Sequence, residues 1–215
     1  MAFLNIDSAK DSKKEGFIWL IFYTPTKIKF TQILRTNVTA DALFVSEATK
    51  MVSVTQKHWH KKDPTVDEIK QAMDSFDFTG FRELVFCGYG EPTCALDTLI
   101  ETARYAKETF GLAIRVNTNG LANLQYGENI VPRLAKVVDT ISISLNAPDA
   151  EAYSKVSRPR FDHAFEGLLD FTVKCKELIP HVKLTVVDIL APEDIKASQE
   201  LAKSLGVDLR IRKYS

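Results

Sequence analysis

The run FCGYGEPT at residues 86–93 combines residue types that could bind a small polar molecule. Its two glycines, Gly88 and Gly90, allow backbone conformations that other residues avoid and let a ligand approach the main chain closely. Pro92 restricts the preceding Glu91 to an extended geometry, so the carboxylate is held in one place. Because this turn follows a strand-like segment, we expect Glu91 to lie at a strand end, where it is suited to binding an ammonium group.

Glu91 also has a purely structural interpretation. A helix is predicted to begin near Ala95, and carboxylates are favoured close to helix N-termini. The glycines and the proline around Glu91 favour the binding role, because a cap alone requires none of them.

Polar residues also follow the other strand-like segments. They are, in chain order, residues 117–120 (NTNG), residues 146–149 (NAPD) and Asp188. Each also allows a structural explanation. The asparagines could be ordinary turn residues, because asparagine tolerates left-handed geometry and bonds its own backbone in turns. The charge of Asp188, near the end of an apolar strand, requires either a ligand or a salt bridge, for example with Arg210 or Arg115.

The elements that must position these residues alternate along the chain. We predict helices where apolar residues recur every three or four positions, where threonine can cap the first turn, and where glycine or proline ends the segment. Short apolar runs predict the strands. The predicted helices are 41–52 (approximate), 65–75, 95–110, 130–137 (approximate), 161–178 and 192–205. The predicted strands are 17–23, 83–87, 113–116, 140–145, 182–189 and 208–212.

This alternation of strands and helices predicts an α/β fold with a parallel sheet. Right-handed crossovers would wind about six β/α units into an open, partial parallel barrel, since a closed barrel of this kind needs about eight. A doubly wound sheet stays open as an alternative, because alternation does not determine strand order. In both folds ligands bind at the carboxyl ends of the strands. We expect one domain over residues 1–215, with 36–62 as a divergent insertion.

The composition limits the classes of partner. The chain has 28 basic and 28 acidic residues, so we expect no nucleic acid partner. The longest apolar run, 17–23, is too short to span a bilayer, and the three cysteines lack the spacing of a disulfide framework. We therefore expect a cytoplasmic protein with no membrane contact and a small-molecule ligand.

The strand-end motifs together resemble the radical S-adenosylmethionine (SAM) superfamily. The turn Gly88-Tyr89-Gly90-Glu91-Pro92 resembles the Gly-Gly-Glu-Pro motif whose glutamate and backbone hold the amino group of the methionine moiety. The stretches 86–93, 116–123, 141–149 and 184–188 are similar to the TatD-associated branch, and the resemblance covers residues 64–215. It implies that Asn119 and Asn146 lie near the methionine carboxylate and ribose, Ser144 near the ribose and Asp188 in the same pocket, with Tyr89 either stacking on adenine or shielding it.

The same resemblance implies a 4Fe-4S cluster held by a Cys-x-x-x-Cys-x-x-Cys motif after the first parallel strand. Aligning residues 29–35 with that segment puts Thr26, Phe30 and Ile33 at the three ligand positions. None of these side chains supplies a thiolate, which is the usual ligand of such clusters. We therefore predict no metal-binding residues. A zinc site formed by His58 and His60 with Cys87 and Cys94 is a weaker alternative.

Three functions are compatible with these residues. The first is a relative without a cluster that keeps a pocket for SAM or another small ligand. The second is a genuine radical SAM enzyme, with the cluster and reductive cleavage of SAM, whose N-terminal region is altered or misread in this sequence. The third is a non-catalytic interaction domain that uses residues 37–62 to bind a partner. Whether the protein is an enzyme depends on which of these holds.

Overall fold

The computed structural model describes residues 3–8, 16–21, 50–51, 65–79, 81–87 and 91–213. These residues divide into two compact units. The first contains the described residues up to Val116, and the second contains those from Asn117 onward. No helix in the described ranges is both long and apolar enough to cross a bilayer. That the whole chain forms one domain, with 36–62 as an insertion, stays a prediction.

The first unit is built on a mixed sheet whose strand order is β3-β1-β2-β4-β5. Strand β2 runs parallel to β4, and β4 runs parallel to β5, whereas β1 is antiparallel to both β2 and β3. The strands are β1 (Phe3–Ser8), β2 (Gly16–Ile21), β3 (Lys50–Met51), β4 (Phe81–Cys87) and β5 (Ala113–Thr118), whose last two residues belong to the second unit.

Two helices complete the first unit, and both have the ends that their sequences predict. Helix α1 (Val66–Asp74) begins at a capping box in which Thr65 and Glu68 each bond the other's backbone N–H. Helix α2 (Leu96–Phe110) ends at Gly111, which takes the left-handed conformation. The two helices contact each other, and Tyr105 of α2 donates a hydrogen bond to Asp74 of α1.

The second unit is built on three parallel strands in the order β6-β7-β8. Helices connect them: α6 contacts β7, and α7 contacts both β7 and β8. The elements are α3 (Ala122–Tyr126), α4 (Val131–Leu134), β6 (Thr140–Ser144), α5 (Ala150–Ser157), α6 (Ala164–Leu178), β7 (His181–Val187), α7 (Pro192–Leu205) and β8 (Asp208–Arg212).

The predicted fold class is confirmed: parallel strands joined by helices form an open α/β arrangement, and the described strands of neither unit close into a barrel. The bounds of α7 and β8 agree with the prediction, and those of α1 and α2 agree within one residue.

Several element predictions need correction. Helix α6 begins at Ala164 rather than at residue 161, because His163 takes a left-handed conformation with φ of 53° that interrupts the helix. Strands β1 and β3 and helices α3 and α5 were not predicted. The predicted helix over 41–52 is wrong at its end, where Lys50–Met51 is a strand, and the rest of it lies outside the described residues.

Candidate functional site

Glu91 is the first described residue after the glycine turn that follows β4. Its side chain is only 6% exposed. One carboxylate oxygen, Oε1, accepts hydrogen bonds from the backbone N–H of Thr93 at 3.1 Å and from its hydroxyl at 2.7 Å. Glu91 thereby caps a single turn of 3₁₀ helix at Pro92–Ala95, in which Cys94 N–H donates to Glu91 O at 3.0 Å.

The capping interpretation of Glu91 therefore has direct geometric support. It does not compete with a binding role, because the two Thr93 bonds fix where the buried carboxylate lies. A carboxylate that is already oriented loses little side-chain entropy when it binds a cation. Thr93 was not predicted as the residue that holds Glu91. No local pattern marked it, since glutamate is not among the residues that N-caps favour.

The turn after β5 is held by its own side chains. Thr118 is buried and its hydroxyl accepts from the Gly120 N–H at 3.1 Å, while Asn119 Oδ1 accepts from the Leu121 N–H at 2.9 Å. Gly120 has a φ of 76°, and a Cβ placed on it would lie 2.8 Å from Ile143 Cγ2. Only glycine fits this position without a shift, so the turn is locked against β6.

The turn after β6 contains a strained asparagine. Asn146 has a φ of 64°, a left-handed conformation that asparagine tolerates better than most residues. Its Nδ2 donates to Ser157 Oγ at 3.3 Å, which ties the turn to the last residue of α5. The backbone N–H groups of Leu145 and Asn146 both donate to Thr185 O, at 2.9 and 3.4 Å. The loop is therefore held by both α5 and β7. The sequence did not predict Ser157 as a residue that supports this loop.

Asp188 lies one residue beyond β7 and is exposed. Its backbone N–H donates to Arg212 O at 2.9 Å, which extends the pairing of β7 with β8. Arg115, one of the two predicted ion-pair partners of Asp188, pairs with Glu83 on the neighbouring strand β4.

Within the second unit the predicted residues converge. Ser144 pairs in register with Thr185 on β7, and Asp188 follows that strand three residues later, so both lie toward the carboxyl ends of parallel strands. Asn146 bonds Thr185, and the Asn119 turn packs on β6 through Gly120. Glu91 and Pro92 belong to the first unit, and Gly88, Tyr89 and Gly90 lie outside the described residues.

The three cysteines do not form a set of donors suited to an iron-sulfur cluster. Cys87 ends β4, Cys94 lies in the 3₁₀ turn, and Cys175 is buried in α6. Burial raises the pKa of Cys87 to about 12, and it also raises the pKa of Cys175, so neither is predisposed to act as a thiolate ligand.

The residues aligned with the cluster ligands, Thr26, Phe30 and Ile33, lie outside the described residues, as do His58 and His60 of the predicted zinc alternative. In the described ranges no three His, Cys, Asp or Glu side chains are arranged to hold a metal ion. No cysteine precedes Cys87 in the sequence. That the segment 26–33 holds no cluster stays a prediction from the sequence.

Comparison with known proteins identifies the family. The radical SAM superfamily matches residues 44–202. One similar protein is a "putative glycyl-radical enzyme activating enzyme" of Methanocaldococcus jannaschii. It is 30% identical to this chain over 131 residues, which are 61% of this chain and 44% of that protein.

Two solved structures resemble this chain in fold. Methylornithine synthase (PylB) aligns with a TM-score of 0.55 and 18% identity over 72% of this chain and 45% of its own. Streptococcus suis SuiB, solved with S-adenosylmethionine bound, aligns with a TM-score of 0.51 and 20% identity over 68% of this chain and 32% of its own.

The chain spans less than half the length of each of these three proteins. The family generally uses SAM together with a 4Fe-4S cluster. The family match covers more than half of the chain and includes every strand-end motif described above. This protein therefore belongs to the radical SAM superfamily.

Proposed function

We propose that this chain is a radical SAM domain that binds S-adenosylmethionine, or a closely related small molecule, without holding a 4Fe-4S cluster. One observation carries the proposal: the sequence keeps the polar strand-end motifs of the family, while the segment expected to hold the cluster has Thr26, Phe30 and Ile33 where thiolates are needed. Without a cluster next to SAM, no electron is delivered to it, so we propose no radical chemistry.

The family resemblance gives the strand-end residues separate roles in binding SAM. Glu91 would hold the ammonium group of the methionine moiety, with the glycine turn 88–90 and Pro92 shaping the backbone around it. Asn119 and Asn146 would contact the methionine carboxylate and the ribose, Ser144 the ribose, and Asp188 a further polar group. The buried, oriented carboxylate of Glu91 and the fixed turns at Gly120 and Asn146 support these roles, because a binding site needs groups held in place beforehand.

We further propose that the chain belongs to the TatD-associated branch and works in the cytoplasm on a small-molecule ligand rather than on nucleic acid. The four stretches quoted above support the branch, and the equal numbers of acidic and basic residues support the class of ligand.

The proposal is tested by iron content and by calorimetry on the same preparation. After anaerobic incubation with iron and sulfide followed by desalting, we expect a colourless protein without stoichiometric iron. Isothermal titration with SAM should give a saturable heat. A brown protein with near-stoichiometric iron and sulfide would overturn the cluster-free assignment, and a flat titration would overturn SAM binding.

A second candidate, a complete radical SAM enzyme, is favoured by one observation. The family match begins at residue 44, downstream of the segment 26–33 where the cluster ligands are expected. An error confined to the sequence before residue 44 would produce this pattern. In that case the name of the M. jannaschii relative suggests an activating enzyme. Sequencing the encoding DNA across codons 10–60 decides the matter, since an unchanged reading without cysteine removes this candidate.

A further inference from the structure

One face of the β6-β7-β8 sheet carries a row of polar residues. Ser144, Thr185 and Arg210 are paired in register across the three strands, so their side chains lie on the same face. Arg212 is two residues beyond Arg210 on β8 and therefore shares that face. This row begins at a residue of the proposed SAM pocket and ends at two arginines.

The opposite face of the sheet is the one covered by helix α6. Ile143 and Leu184 are paired in register and fully buried. A Cβ on Gly120 would touch both Ile143 Cγ2 at 2.8 Å and Leu168 Cγ of α6 at 3.1 Å, so Ile143 faces that helix. Because neighbouring residues on a strand point to opposite faces, Arg210 and Arg212 point away from α6.

The two arginines have no acidic partner among the described residues. No ion pair or side-chain hydrogen bond joins either guanidinium to another described group, whereas Arg104 pairs with Glu101 and Arg115 with Glu83. Both arginines are exposed, and partial desolvation of Arg212 together with the positive charge of Arg210 lowers the pKa of Arg212. Two like charges therefore lie two residues apart on one face of the strand, an arrangement that a bound anion would relieve.

Acidic residues are placed at other points on this surface. Asp208 pairs in register with Lys183, which balances the charge at the amino ends of β7 and β8. Asp188 follows β7 and is joined to Arg212 through its backbone N–H. Arg210 and Arg212 lie toward the carboxyl end of β8, which is the end where ligands of parallel sheets bind.

We propose that Arg210 and Arg212 form a binding site for an oxyanion, either a phosphate or a carboxylate group, on a small-molecule ligand. Guanidinium groups bind both kinds of anion through paired, charge-assisted hydrogen bonds. Adjacent strands are about 4.8 Å apart, which places the backbone of Arg210 roughly 10 Å from that of Ser144. A molecule anchored at the arginines would therefore reach the edge of the proposed SAM pocket. This last step, which makes the anion part of a substrate, rests on the proposed function.

The test titrates inorganic phosphate and, separately, the dicarboxylate succinate into the full chain at constant ionic strength. We expect saturable binding of at least one of them. Arg210→Gln and Arg212→Gln should each weaken that binding about tenfold or more, since a hydrogen bond to a charged group contributes roughly 1.5–3 kcal/mol. The matched control is Arg104→Gln, an exposed arginine on α2 whose loss should leave the affinity unchanged. The anion that binds more tightly identifies the ligand group.

Two results would overturn the site: no saturable binding of either anion, or equal weakening by the Arg104 variant and by the Arg210 and Arg212 variants. Circular dichroism spectra that match the parent protein show that the variants are folded, which is expected because both residues lie at the surface. The assay contains no SAM, so its outcome is independent of SAM binding. A protein that binds phosphate but not SAM would keep this site and overturn the proposed function. A protein that binds SAM but neither anion would overturn this site and keep the proposed function.

Discussion

Glu91 can be tested so that its capping and binding roles separate. In Glu91→Gln the amide oxygen can still accept from the Thr93 N–H, but the negative charge is lost. We expect the SAM affinity to fall by about ten- to a hundredfold, because a charged hydrogen bond contributes roughly 1.5–3 kcal/mol, while the free energy of unfolding changes by less than about 1 kcal/mol. Calorimetry and urea denaturation measure the two effects.

Thr93→Val is the matched control for Glu91→Gln. It keeps the charge and the backbone N–H bond and removes only the hydroxyl contact at 2.7 Å. Its effect on SAM affinity should be smaller, about threefold, because the carboxylate keeps its charge and its bond to the Thr93 N–H and is only less firmly oriented. Equal losses in the two variants would mean that Glu91 serves only as a cap.

Gly120 offers a second residue-level prediction, on stability. Gly120→Ala should destabilise the protein by about 2–4 kcal/mol, because alanine with positive φ costs roughly 1–2 kcal/mol and the added methyl group overpacks against Ile143. Gly111→Ala is a matched control, since Gly111 has a φ of 67° and nothing within 4 Å of the added Cβ. It should cost only about 1–2 kcal/mol in urea denaturation. Equal losses would show that the contact with Ile143 has no energetic weight.

Cys87 gives a prediction about reactivity. Burial raises its pKa from 9.0 to about 12, so the folded protein keeps the neutral thiol well above pH 8. At that pH Cys87 therefore carries far less thiolate than an ordinary cysteine does. Iodoacetamide labelling followed by mass spectrometry should therefore modify Cys87 far more slowly in native protein than in urea. Fast labelling of the native protein at pH 8 would contradict a half-buried, protonated thiol.

At the scale of the element, the sequence predicted those helices whose ends carry local signals. The Thr65 and Glu68 capping box and the terminal glycines Gly111 and Gly206 act within a few residues of the helix they delimit. Helix α5 was missed although Asp149 is its N-cap, because the same residues also fit a turn that contacts a ligand. Its end at Arg158, which has a φ of 44°, carries no glycine to mark it.

Helix α5 supports the proposed site, and its cap can be tested. Asp149 accepts from the Ala152 N–H at 2.8 Å, and Ser157 at the other end bonds Asn146. Asp149→Ala should lower the free energy of unfolding by about 1 kcal/mol, the usual cost of losing a cap, and weaken SAM binding slightly by loosening the Asn146 turn. Asp149→Asn should be nearly neutral because asparagine caps equally well. Thermal denaturation compares the two, and equal losses would exclude capping as the cause.

At the scale of the molecule, alternation of strands and helices predicted the parallel pairing of β2 with β4 and of β6 with β7 and β8. It could not predict β1 and β3, since β1 pairs antiparallel with the next strand, β2, and β3 pairs antiparallel with the distant β1, so neither follows β/α alternation. The same limit applies to the site. Residues at strand ends were predictable from their position, whereas supports such as Thr185 O and Ser157 depend on tertiary contacts that no local pattern records.

The final prediction concerns the 4Fe-4S cluster that the family generally uses and that we propose this chain does not hold. If Thr26, Phe30 and Ile33 occupy the ligand positions, then Thr26→Cys, Phe30→Cys and Ile33→Cys combined should restore a Cys-x-x-x-Cys-x-x-Cys motif. After anaerobic reconstitution the triple variant should be brown and hold about four iron atoms per chain, because three thiolates suffice to bind a 4Fe-4S cluster with one iron left open.

The matched control places serine at the same three positions. Serine is similar in size to cysteine, but its hydroxyl binds such clusters poorly. This variant should stay colourless like the parent protein. A folded triple cysteine variant that binds SAM but takes up no iron would show that the alignment of these three positions is wrong. Iron uptake by the parent itself would place the cluster elsewhere on the chain. Restoration in the cysteine variant alone would show that this scaffold lacks only its sulfur ligands.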